Sequence, residues 1–153
     1  MLGAGIARAI HQFYSDYSRL PLMTDFVIGE DQDTDTSAAA GLILVLSGRE
    51  PPGTARQNTR NINYLESMPA ASRSAPGHWT GGVVVEGGDV SLVDSWGHAF
   101  RVRLDANYNG EIDNPCPEEV RNNGPFLYGR CLVWSAGKDG WEWTWRNNTK
   151  SWP

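Results

Sequence analysis

The sequence predicts an α+β fold: an N-terminal helix packed on a small antiparallel β-sheet, with a second short helix and long loops. An apolar stripe at helical spacing opens the chain. Runs with two-residue alternation gather in its second half. A hydrophobic content of 40%, with 17 glycines and nine prolines in 153 residues, leaves much of the chain to turns. That length suits one domain, 1–153, with its own core. Residues 1–20 carry the helix and 83–153 the sheet region.

The stripe is Ile6, Ile10, Phe13, Tyr17 and Leu20, spaced by four, three, four and three residues. Side chains three and four apart stack on one helix face. Arg8, Gln12, Ser15, Asp16 and Arg19 fall off it, as a half-exposed helix requires. Pro21 disfavours the α conformation just before it, so the helix should run from near the first residue to about Ser18. No Ser, Thr, Asp or Asn precedes it as a cap. It therefore reads as the second half of a longer helix, or as a native chain that simply begins here.

Next comes the acidic run Glu30-Asp31-Gln32-Asp33-Thr34-Asp35, expected as a solvated loop ahead of a helix N-terminus. Thr36 or Ser37 would cap a short helix over 38–46, stopped by Gly48, with Leu42, Val45 and Leu46 facing the core. Gly41 and the β-branched Ile43 and Val45 keep a strand over 42–46 open. Pro51-Pro52-Gly53 turns a loop over 49–60. Residues 61–66 alternate briefly and Met68-Pro69 ends them; 70–82 should be a mobile loop.

The strands follow. Val83-Val84-Val85 and Val90-Ser91-Leu92-Val93 flank Glu86-Gly87-Gly88-Asp89 as a hairpin. Residues 99–104 alternate, and Asn109-Gly110 turns the chain, hairpin fashion, toward Glu111-Ile112-Asp113. Residues 130–135 and 141–145 supply the last two strands.

A net charge of −5 without a basic run removes the main attraction for a phosphate backbone. No apolar run has membrane-spanning length, and no leader is visible. Cys116 and Cys131 fit neither a zinc nor a thioredoxin spacing. They could close a disulfide around a loop of about fifteen residues, worth roughly 3 kcal/mol in an oxidising compartment; two buried thiols are the other reading. Asp105-Ala106-Asn107-Tyr108-Asn109-Gly110-Glu111-Ile112-Asp113 matches nine positions of a calcium loop, but Cys116 stands where the closing Glu belongs and Asn-Gly already explains a turn. Trp141, Trp143 and Trp145 share a strand face and suit packing or sugar stacking. His11, His78 and His98 are scattered, and no nucleophile, phosphate-loop or paired metal-ligand motif is present.

Four segments, in order, resemble a known family. A helix ends in Phe13-Tyr14-Ser15-Asp16-Tyr17-Ser18-Arg19-Leu20-Pro21. Asp94-Ser95-Trp96-Gly97 precedes a strand. Ser135-Ala136-Gly137-Lys138-Asp139-Gly140 follows Val133-Trp134, and Ser151-Trp152 closes the chain. Asn58-Thr59-Arg60-Asn61-Ile62-Asn63-Tyr64-Leu65-Glu66 is similar to a further segment of the larger members. Together they resemble type IV pilin-like proteins, above all the major pseudopilins of type II secretion. The resemblance covers residues 6–152, with 22–57 and 66–90 matching poorly.

The resemblance implies a non-enzymatic subunit of a pilin or pseudopilin filament. Its membrane-inserting half-helix would be absent here, its head would sit in the periplasm or at the cell surface, and its partners would be other pilin-like subunits. Ile6, Ile10, Phe13, Tyr17 and Leu20 would serve helix packing and assembly. It also implies a calcium loop at Asp139, Asn147 and Asn148, in which Asn147 and Asn148 stand where the family carries carboxylates, so Ca2+ would bind more weakly. The reading from another class is a secreted carbohydrate- or ligand-binding domain that uses the Trp-rich C-terminal strand.

Overall fold

The computed structural model describes residues 2–23, 29–53, 55–116, 124–141 and 148–152. Helix α1 spans Leu2–Tyr17 and buries Ile6, Ala9, Ile10 and Phe13. It ends at Ser18, whose φ of 55° and bond to the Tyr14 carbonyl (2.8 Å) turn the chain three residues before Pro21. Leu20 follows as a fully buried plug. Burying each large stripe residue stabilises the fold by about 1.5–3 kcal/mol.

The helix lies over a four-stranded antiparallel sheet in the order β1 (Gln32–Asp35), β6 (Arg101–Leu104), β9 (Cys131–Ser135), β10 (Thr149–Lys150). Alternation sorts its faces. Val102, Leu104, Cys131 and Val133 join Ile6, Ile10 and Phe13 in the main core. Leu132 and Trp134 point the other way and pack with Ile112, Leu127 and Trp152. The acidic run is therefore an edge strand instead of the expected loop. Its register sets Asp33 opposite Arg103 and Asp35 opposite Arg101, so charges neutralised across the ladder let the strand form.

The short helix is interrupted. A 3₁₀ turn at Ala38–Ala40 gives way at Gly41 (φ 82°) to α2, Leu42–Ser47. Leu42, Val45 and Leu46 face the core as expected, and Ile43 joins them, so 42–46 is helix despite its β-branched residues. Gly48 (φ 72°) caps α2; a Cβ there would lie 2.8 Å from the Asn61 backbone.

Among the described residues, three two-stranded ladders complete the fold. β4 (Gly82–Glu86) and β5 (Asp89–Val93) form the expected hairpin around Gly87-Gly88. β2 (Ser72–Ala75) and β3 (His78–Thr80) pair where a mobile loop was expected. β7 (Glu111–Asp113) pairs with β8 (Phe126–Tyr128), not with β6. The Asn109-Gly110 signal misleads because the turn is long: Asp105 accepts the amides of Asn109 (3.2 Å) and Gly110 (2.9 Å) and swings β7 off the sheet. Residues 61–66, with their brief alternation, form no strand; 64–67 are a turn. The expected strand at 141–145 lies, after Trp141, outside the described residues.

Candidate functional site

The residues expected to serve both packing and assembly divide. Ile6, Ile10, Phe13 and Leu20 are fully buried in the main core and present nothing outward. Tyr17 is half-buried, its hydroxyl donating to Asn58 Oδ1 (2.7 Å) and accepting the Arg60 amide (3.0 Å). The outward face of α1 carries Arg8, His11, Gln12, Ser15 and Asp16. Any contact with a neighbour through this part of the helix must therefore use its polar side.

Strand β9 is where the separated motifs meet. Helix α1 crosses it, and β10 pairs with it at Trp134 and Ser135. Ser151 bonds both backbone groups of Val133, and the Trp152 ring meets Trp134 edge-on at 6.2 Å. At the end of β9 a 3₁₀ turn, Gly137–Asp139, meets the Asp94 turn through His98. Asp94 is 2% exposed; its Oδ1 accepts the amides of Trp96 and His98, both at 2.9 Å. The His98 ring lies 3.1 Å from the Gly137 carbonyl and 3.7 Å from Asp94 Oδ2. A carbonyl only accepts, so Nδ1 carries the proton. Two backbone bonds close the same turn, from the Gly97 amide to the Asp94 carbonyl (3.1 Å) and from the Asp94 amide to the His98 carbonyl (2.8 Å).

Of the expected calcium trio, Asn147 lies outside the described residues. Asp139 spends one oxygen on the Trp141 amide (3.0 Å), an Asx turn, and Asn148 is half-buried before β10. Among the described residues no group of three or more His, Cys, Asp or Glu is placed to hold a metal ion. The nine-residue calcium-like stretch turns back through its own side chains, Asn107 and Asn109 accepting the amides of Asn109 and Glu111. Asp31 comes alongside it from a distant part of the sequence, accepting the Asp113 amide at 3.2 Å. These oxygens suit a hard cation in kind. The Arg103 guanidinium already shares the recess, however, bonding Asp33 and the Asp113 carbonyl.

Desolvation, with Asp105 and Asp113 nearby, holds the Asp31 carboxyl above the usual carboxylate range. A folded-state pKa above the unfolded one favours folding when protonated, and that contribution is lost as pH rises through the folded value. Asp31→Asn should therefore raise the melting temperature at neutral pH. The gain should vanish once acidification falls below the ordinary carboxylate pKa of about 4; thermal melts of both proteins across pH check it.

No bridge joins Cys116 to Cys131; both are buried thiols. Cys131 faces α1, whereas Cys116 follows β7, whose hairpin packs on the opposite face of the sheet. Burial pushes the Cys131 thiol up to about 12, so it stays protonated and inert. Of the tryptophan row, Trp143 and Trp145 lie outside the described residues, and Trp141 is 56% exposed. Two residues carry weight that sequence did not announce. Asn58, 1% exposed, accepts from Tyr17 and Ile62 and donates to Val45 and Ile62. His98 joins two motif turns. Neither shows in periodicity, because each acts through hydrogen bonds to segments remote in sequence.

The chain matches no protein-family model, no curated protein and no solved structure. No helix among the described residues is long and apolar enough to cross a membrane.

Proposed function

We propose that this chain is the head of a non-enzymatic filament subunit of the pilin or pseudopilin kind, self-assembling with pilin-like partners and serving a type II secretion or type IV pilus-like machine. One observation carries the reading: four motifs spread from residue 6 to residue 152 converge on strand β9. α1 covers it, Ser151-Trp152 clasps it, and the Asp94 turn meets the loop at its end. On this reading the sheet and loops are the displayed surface. The polar face of α1 meets neighbouring helices, and an apolar segment ahead of this chain anchors the subunit in the inner membrane with the head in the periplasm or at the cell surface. Packing is then the mechanism, and no bond is made or broken.

The test is a photo-crosslinking residue in place of Gln12, on the exposed side of α1, in the native gene product within its own cells. Assembly predicts a ladder of homo-oligomers and heterologous adducts with other pilin-like subunits. Monomer alone under conditions where the protein is abundant contradicts it.

A further inference from the structure

We propose that the outward face of the β7–β8 hairpin docks the arginine-bearing end of α1, with Tyr17, Arg19 and Arg60, from a second copy of this chain. The inference rests on the assembly reading and names the surfaces that would meet. The hairpin turns Ile112 and Leu127 inward onto Leu132 and Trp134. Its other face presents Phe126 and Tyr128, which are 45% and 82% exposed, paired across the ladder with Asp113 and Glu111. Aromatic side chains left this open are the informative kind of exposure. Rings flanked by carboxylates attract a guanidinium both through their faces and through charge.

The same chain supplies the complement. Arg101 and Arg103 are engaged with Asp35 and Asp33 on their own sheet. Arg19 instead donates to the neutral Gln57 side chain (3.1 Å) and carbonyl (2.9 Å), and stacks 5.8 Å from the rings of Phe13 and Tyr17. The Arg60 guanidinium lies 5.5 Å from the Tyr17 ring. No ion pair among the described residues includes either arginine. An aromatic, acidic face on one copy and an aromatic, basic one on the next make a heterologous contact, the kind that propagates into open chains.

Two variants test it: Phe126→Ser with Tyr128→Ser, and Arg60→Glu, each checked for an unchanged circular-dichroism melt. Sedimentation velocity of the purified chain at low salt should show concentration-dependent association that weakens as salt rises. Each variant alone should associate about tenfold more weakly. Their equimolar mixture should regain a one-to-one pair, since each keeps the half the other lacks. Wild-type association unchanged in the aromatic variant, a mixture that stays monomeric, or a wild type monomeric throughout overturns the proposal. Ladders from the Gln12 crosslink beside a monomeric mixture would leave assembly standing and remove this surface. Pairing in the mixture without ladders in cells would keep the contact and remove the filament.

Discussion

Phe13→Ala should cost about 3–5 kcal/mol of unfolding free energy, a large share of the roughly 5–15 kcal/mol a domain possesses. Phe13 is fully buried where α1 meets the sheet, its ring 4.6 Å from that of Tyr17 and 5.9 Å from that of Tyr64. Truncation removes the apolar transfer term and opens a cavity between two rigid elements that close over it poorly. A helix of 16 residues is marginal alone in water, so α1 depends on this face for its order. Urea denaturation followed by circular dichroism measures the loss. Gln12→Ala, on the exposed side of the same helix, serves as the control and should change stability by less than about 0.5 kcal/mol.

Asn58→Ala should cost about 3 kcal/mol or more, despite removing only a small polar group. The Asn58 amide nitrogen donates to the carbonyls of Val45 (2.8 Å) and Ile62 (2.7 Å), and its oxygen accepts from Tyr17 (2.7 Å) and the Ile62 amide (3.1 Å). One side chain thus ties α1, α2 and the turn at 58–62, and alanine strands several of these partners away from water. Asn58→Asp separates this account from one of size alone. It keeps the volume and the acceptor but sets an oxygen against two carbonyls, so it should destabilise about as much as alanine. Denaturant midpoints of the two variants decide the matter, and a stable Asn58→Asp would remove the hydrogen-bond explanation.

The fold class and the helix were legible because their signal is periodic and local. Four apolar residues of α1, Ile6, Ile10, Phe13 and Tyr17, at spacings of three and four leave it little choice, and Gly87-Gly88 between valine runs selects the β4–β5 hairpin. Pairing between distant segments was hidden. Asp33 and Asp35 look like loop residues until Arg103 and Arg101 stand opposite them, and nothing near residue 31 announces a neighbour at Asp113. Asn109-Gly110 carried a true turn signal with the wrong consequence, since the Asp105 carboxylate enlarges the turn and sends β7 to β8. The cysteines are unbridged for a reason invisible in their spacing: Cys131 joins the core beneath α1, whereas Cys116 follows a strand that leaves the main sheet to pair with β8.

Amide hydrogen exchange along α1 tests the central claim, that this helix is seated on the sheet through its apolar stripe, most directly. The amides of Ala9, Ile10 and Phe13 should open with the same free energy as those of Val102 and Val133, because helix and sheet share one core and unfold together. Exchange in α1 orders of magnitude faster than in β6 and β9, with the sheet still protected, would mean the helix is only loosely laid on the head.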